Sequence, residues 1–452
     1  MAKIKTTKLL ALLFMLPLLG LGCKGGGSAT SKESLEPVTL KYWQVFNEPS
    51  DFTDTIAAFK RTYPHINVTV RKLRLDEYED AIVRALAEGN GPDIISVQTA
   101  WLKHYQNLLA VMPASVTLPA TVVDGNKTAV ALSTVKLPSS QDLRTAFVDT
   151  VAPDVTLNTQ IYGLPLSVDT LGLYYNRQLL NQAGVTSPPR TWEEFKNAVK
   201  LLTTQDRNGN IVQAGAALGG SRNINRAPDI LAVLMMQNGT EMAKNGKAAF
   251  NQIPANLKDA SVVPGRDALR FYTDFASPAK EVYTWNENLP ESLDAFANQQ
   301  AAFFFGYSYH LPLIRSLAPG IDLGITKLPQ IAAGGKQVNF ANYWLEGVTK
   351  QSAHPSEAWG FIQFATSEPG AGTFLQKSGK PTALRALISS QRGNEMLAPF
   401  ADQLLTAQTW YHGADAAAME EAMRAAIEQV ASGGKEPDAA IDEAVRNINL
   451  TY

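Results

Sequence analysis

The sequence predicts an α/β protein with a parallel sheet, its chain divided into two domains. Two observations carry this. Short apolar strands alternate with amphipathic helices from residue 38 onward, the pattern of a parallel sheet with helical crossovers. About 415 residues follow the N-terminal segment, more than one ordinary hydrophobic core accommodates.

The elements follow in order. Residues 38–43 alternate apolar and polar as a strand ending at Trp43. Residues 50–63 set Ile56, Phe59 and Tyr63 on one helical face and stop at Pro64. A second strand at 66–73 and a second helix at 76–88 come next, the helix closed by Gly89, Asn90, Gly91 and Pro92. Residues 93–97 are a third, apolar strand. Residues 112–160, rich in Thr, Val and Pro, carry no assignable periodicity. Strand signals return at 161–166 and 171–176. Thr191 with Glu194 three places on is a capping box that opens a helix at Trp192. Residues 293–299 form a helix leading into the apolar strand 301–305. An amphipathic helix at 355–367 turns Ala358, Trp359, Ile362 and either Phe361 or Ala365 inward. Two helical segments at 416–448 are broken at Ser432, Gly433 and Gly434. No internal repeat is visible.

Composition narrows the function. The chain has 40 Lys and Arg against 42 Asp and Glu, a net charge of −2. Loss of a leader holding Lys3, Lys5 and Lys8 would make the remainder more acidic, about −5 by the same counting. A nucleic-acid partner, which calls for clustered positive charge, is therefore not expected. Lys3, Lys5 and Lys8 precede an apolar stretch at 9–22, short for a bilayer span and of signal-peptide length. Gly22 then precedes Cys23, the only cysteine, and a Gly/Ser run follows. This resembles a bacterial lipoprotein cleavage site, with Gly20 where Leu is usual. The resemblance implies removal of residues 1–22, a lipid-anchored flexible tether at 23–36, and acyl chains on Cys23. The protein would be exported and held on the outer face of the cytoplasmic membrane or in the periplasm. An ordinary secreted protein with an incidental thiol is the alternative.

Catalytic and metal signatures are not evident. The five histidines, at 65, 104, 310, 354 and 412, lack zinc-ligand spacing. There is no Gly-x-Ser-x-Gly elbow and no phosphate loop. Asp206 to Asn210 has the opening of a calcium loop, but Ala217 stands at the twelfth place, so the segment reads as a turn. The carboxylate pairs Glu193 with Glu194 and Glu420 with Glu421 read as solvated helix faces. No enzyme, metal or cofactor is expected.

Several segments, in order and spacing, resemble the extracellular solute-binding proteins of ABC importers, family 1, the maltose- and oligosaccharide-binding group. They are residues 59–64 with 66–70, 91–95, 162–166, 173–176, 183–184 with 189–195, 295–296 with 301–306, and 358–365. The resemblance implies a two-lobed, type II periplasmic-binding-protein-like fold, each lobe a sheet flanked by helices, with a hinge between. Residues 37–172 and 345–378 would form lobe 1, and 173–344 and 379–452 lobe 2. Crossings are expected near 170–175, 339–344 and 378–381. The implied activity is capture of a carbohydrate in the cleft and its delivery, by hinge closure, to the permease subunits of an ABC transporter. The protein would act as a monomer touching the membrane only through its lipid. A non-sugar solute (polyol phosphate, peptide or polyamine) and a secreted glycan-degrading enzyme are the alternatives.

A sugar asks for flat rings under its C–H faces and dense hydrogen bonding at its hydroxyls. Carboxyl ends of strands line the crevice of an open α/β sheet, which selects Trp43, Gln44, Asn47 and Glu48 after the first strand and Gln98, Thr99 and Trp101 after the third. Trp285, Trp344 and Trp410 lie in loops or at strand ends beside polar residues. Asp169 matches an acidic contact of the family, and Tyr307, or else Tyr309, its Gly-aromatic turn. Asn342, Tyr343 and Trp344 fall on the second crossing. Glu346 is either a contact or part of a hinge salt bridge. Trp192 and Trp359 read as structural.

Overall fold

In the computed structural model, which describes residues 35–124, 127–255, 257 and 262–452, the strand Val38–Gln44 pairs in parallel with Ile66–Lys72 on one side and Ile94–Gln98 on the other. The leader, Cys23 and most of the tether lie outside the described residues. Trp344–Val348 returns from far along the chain to lie antiparallel on Ile94–Gln98, completing a four-stranded sheet. Helices Thr53–Thr62 and Pro355–Ala365 cover it. Phe59 and Phe361 of the two helices meet edge to face at 5.3 Å, and Tyr42 of the first strand meets Phe52, just before the first helix, edge to face at 5.2 Å between centroids. The first helix begins as a 3-10 turn, Pro49–Phe52, and then becomes α-helical.

The stretch that showed no periodicity holds a hairpin. Ser115–Asp124 and Lys127–Lys136 pair antiparallel from Ser115 opposite Lys136 to Asp124 opposite Lys127. Val116, Leu118 and Ala120 alternate inward and are buried. Pro119 interrupts the apolar pattern. It is tolerated because each strand of this two-stranded ribbon keeps an open edge that needs no N–H donor. Leu118 packs into the space left by Gly360, where a Cβ would stand 2.4 Å from its Cδ1.

The second sheet is mixed and five-stranded, ordered Thr204–Gln205, Ile211–Ala216, Ala301–Gly306, Gly172–Asn176 and Leu323–Thr326. Ala301–Gly306 is buried throughout, which explains its uninterrupted apolar run. Thr191 caps the helix Trp192–Leu202 by accepting from the Glu194 N–H at 3.1 Å. Glu194 reaches back one residue further than the cap, to the Arg190 N–H at 2.7 Å. Asp206 closes the turn before Ile211–Ala216 by accepting from the Asn208 and Asn210 N–H groups. The C-terminal helices Ala416–Ala431 and Pro437–Ile448 pack on this half of the molecule, joined through Gly433 at φ 71°.

Two large cores result. One gathers Leu40, Phe59, Ile94, Leu345 and Phe361, the other Leu173, Phe195, Leu231, Phe303 and Ile427. A small third sheet carries the chain between them. It is made of Asp169–Thr170, Asn339–Asn342 and Ala407–Gln408. Beyond Ser378, Ala383, Leu384 and Ile388 still belong to the first core, because the Val148 N–H bonds to Ala383 and Phe147 bridges to Leu384. The third strand of the connection is therefore Ala407–Gln408. Among the described residues no helix is long and apolar enough to cross a membrane.

Candidate functional site

The parallel strands Val38–Gln44 and Ile94–Gln98 end at the same edge of their sheet, beside the connecting strands. A cavity of about 230 Å³ opens there, between the two cores. The last strand residues Gln44 and Gln98 and, beyond the strands, Phe46, Asn47 and Trp101 reach it, and Ser96 lines it from within its strand. The connecting strands and their neighbours add Asp169, Asn342, Tyr343, Trp344, Glu346 and Lys380. Arg226, Tyr309 and Glu420 face it from the opposite side.

The rings form a connected group. Trp344 stands edge-on to Trp101 at 5.2 Å and to Phe46 at 5.4 Å. Phe46 lies stacked on Tyr309 at 5.9 Å with 22° between planes. Phe46 follows a first-core strand, whereas Tyr309 packs on the second core, so this stack spans the cleft.

Polar groups sit between the rings. Gln44 closes a tight turn, its Oε1 accepting from the Asn47 N–H at 2.6 Å. Gln98 donates to Asn342 Oδ1 at 2.9 Å. Asp169 accepts from the Ser308 hydroxyl at 2.7 Å, from the Ser308 N–H, and from the Thr170 N–H at 2.9 Å. Burial pushes its carboxyl up to about 6, against the opposing pull of those donors and of Lys380. Glu346, 4% exposed, accepts from the Ser96 hydroxyl at 2.5 Å. Burial raises it to about 7, with Ser96, Tyr42 and the charge of Lys380 pulling the other way. It therefore lines the cavity and also feels a hinge-side cation. Lys380 donates to Asn47 Oδ1, and its own pKa is lowered by burial.

Gln44, Asn47, Gln98, Trp101, Asp169, Tyr309, Asn342, Tyr343 and Trp344, all singled out from sequence, converge on this cavity. Tyr343 also anchors the connection, donating to the buried Asp154 at 2.7 Å. Thr99 and Trp410 line a smaller cavity of about 40 Å³ beside it. Four candidates lie elsewhere. Trp43 faces away, as strand alternation requires once Gln44 faces in, and the Arg71 guanidinium covers its ring. Glu48 points outward to Lys72. Trp285 is fully buried and its indole N–H donates to Asn223 at 2.9 Å. Tyr307 is fully buried and donates to Asp229 at 2.6 Å, while its neighbour Tyr309 faces the cleft.

Phe46, Ser96, Arg226, Lys380 and Glu420 were not anticipated as cleft residues. Phe46 adjoins the loop that was singled out and was legible there. Glu420, in a Glu-Glu pair on a helix, looked like solvated surface, and Arg226 and Lys380 lie in loops whose path is set by distant contacts. Both cations are engaged. Arg226 forks onto Asp229 through Nε and Nη2 at 2.8 Å each and reaches Glu420 at 3.0 Å. With the three carboxylates Asp169, Glu346 and Glu420 against the two cations Arg226 and Lys380, the lining carries no excess of basic residues for a phosphate. Among the described residues no group of three or more His, Cys, Asp or Glu side chains is placed to hold a metal ion.

Comparison with known proteins agrees with this architecture. The family model for bacterial extracellular solute-binding proteins matches residues 45–372. The galactooligosaccharide-binding protein of Bacillus subtilis (strain 168) is 23% identical over 429 residues, covering 93% of this chain and 91% of that one. The multiple sugar-binding protein of Streptococcus mutans serotype c is 23% identical over 237 residues, 52% of this chain and 54% of that relative, so the match spans about half of its length. Among solved structures, the sugar-binding protein MalE from Xanthomonas citri superposes with a TM-score of 0.69 at 18% identity, covering 92% of this chain and 97% of that one, a likeness of fold. With that family model matched over most of its length, and with two cores joined by a small connecting sheet above a lined cleft, the chain belongs to the bacterial extracellular solute-binding protein family.

Proposed function

We propose that this protein binds a carbohydrate, a sugar or short oligosaccharide, outside the cytoplasmic membrane and delivers it to the permease of an ABC importer by closing its two lobes around it. One observation carries the reading: Trp101, Trp344, Phe46 and Tyr309 surround a cavity between the cores whose polar groups include Gln44, Asn47, Gln98, Asn342, Asp169, Glu346 and Glu420, with Arg226 and Lys380 among them. Rings stack on the C–H faces of a pyranose, and such polar groups both donate to and accept from its hydroxyls. The names of the relatives from Bacillus subtilis and Streptococcus mutans support the same ligand class. Catalysis forms no part of the reading. The protein acts as a monomer, tethered through acyl chains on Cys23 with its binding lobes free of the bilayer.

The test is a thermal-shift and calorimetric screen of the purified protein against mono- and oligosaccharides, with polyamines, peptides and polyol phosphates alongside. A saccharide at 100 times its dissociation constant should add about 2.7 kcal/mol of stability. A response to a charged solute alone would keep the fold and remove the sugar. Product formation from any glycan would replace binding with hydrolysis. Metabolic labelling with a fatty acid, lost in Cys23→Ser, tests the anchor.

A further inference from the structure

The cavity beside the main one is lined by a ring and hydroxyls of the same kind, Trp410, Thr99 and Thr409, with Asp229 behind them. It shares Gln98, Arg226, Asn342 and Glu420 with the main chamber. These shared residues are joined in pairs, Gln98 to Asn342 at 2.9 Å and Arg226 to Glu420 at 3.0 Å. We infer that the two pairs form a wall that ends the main chamber and limits the length of saccharide it takes, an inference that rests on the sugar reading above.

The wall is braced. The Arg226 side chain is 19% exposed and the Asp229 side chain 6%, and their forked pair is fixed from behind by the Tyr307 hydroxyl. Arg226 holds this position on a left-handed backbone, φ 57°, which a non-glycine residue adopts only when its surroundings enforce it. Swinging Glu420 aside would strip a buried guanidinium of part of its compensation, a costly change in a poorly solvated site. Gln98 closes the remainder from the opposite core, so the wall is complete only when the two halves meet. The main chamber, at about 230 Å³, falls below the ~300–1,000 Å³ usual for ligand pockets, in keeping with a short saccharide. Arg226 Nη1, which has no protein partner among the described residues, is left to donate to the sugar at the closed end.

The experiment is calorimetry with two length series, glucose to maltopentaose and galactose to galactotetraose, on wild type and on Gln98→Ala/Glu420→Ala. Wild type should weaken about tenfold or more from disaccharide to tetrasaccharide in the series it binds, and the double variant should recover most of that loss. Glu420→Gln, which keeps the size of the side chain, should retain the wild-type profile. Should the double variant fold poorly, Gln98→Ala alone should still shift preference toward longer chains. An unchanged length profile in the folded Gln98→Ala/Glu420→Ala or Gln98→Ala protein, or a wild type indifferent to length, overturns the wall while leaving the sugar reading intact. No binding of any saccharide by wild type removes both.

Discussion

Replacing Glu346 by Gln should flatten the dependence of folding stability on pH. The carboxyl is 4% exposed, bonded to Ser96, and raised from 4.5 to about 7 chiefly by burial. Its folded pKa therefore lies above its unfolded one. Between those values the folded chain holds a proton that the unfolded chain has released, so stability is fully present below about pH 4.5 and declines as pH rises to about 7. A displacement of about 2.5 pH units corresponds to roughly 3 kcal/mol lost across that window. Gln fits the same space, accepts from Ser96 through its oxygen and carries no charge at any pH. It gives up about 1 kcal/mol of hydrogen bonding where the acid is neutral. Urea denaturation of the ligand-free protein at pH 4.5, 6 and 8 measures the effect. Glu346→Gln should be equal to or slightly less stable than wild type at pH 4.5, and more stable by about 2 kcal/mol at pH 8. Asp169, raised to about 6 by the same cause, titrates in both proteins and cancels from the difference. Parallel curves from pH 4.5 to 8 would refute the assignment of a buried, desolvated acid at this position.

Three further outcomes are expected. Trp344→Ala removes the ring that touches both Trp101 and Phe46, and should cost about 2 kcal/mol or more of saccharide affinity by calorimetry; unchanged affinity would place the ligand elsewhere. Tyr307→Phe deprives buried Asp229 of its hydroxyl donor, and should destabilise the fold by about 1–3 kcal/mol in urea while leaving the ring of Tyr309 in place. Gly360→Ala sets a Cβ 2.4 Å from Leu118 and should cost about 1–3 kcal/mol, with hydrogen exchange rising in the hairpin 115–136.

How much of this was legible depends on the distance over which each feature is decided. Residues 38–98 announced strand, helix, strand, helix, strand because a buried face imposes its period on the local chain, and those elements formed where the period put them. The hairpin at 115–136 was hidden by Pro119 and by its second strand, where Val130 and Leu132 are exposed, although Val116, Leu118 and Ala120 of the first strand alternate inward. In the site, residues on or just after regular strands and the connecting sheet, such as Gln98, Trp101, Asn342 and Trp344, were legible from the rule that strand ends line a crevice. Tyr307 and Tyr309 were not separable, because two residues apart in a turn the choice rests on which ring finds a buried acceptor, and Asp229 is 78 residues away. Trp285 offered the same composition as a ligand platform, yet Asn223 satisfies its N–H inside the core.

By itself, then, the sequence determined the α/β class, the two cores and the ring-rich, polar character of the strand ends, since each follows from local periodicity and residue type. Only the tertiary structure decided that Arg226, Lys380 and Glu420 meet in the cleft, that the third connecting strand is Ala407–Gln408, and that paired side chains divide the cavity in two. These depend on contacts between residues hundreds of positions apart, and no local pattern of burial records which distant side chain will neutralise a given charge.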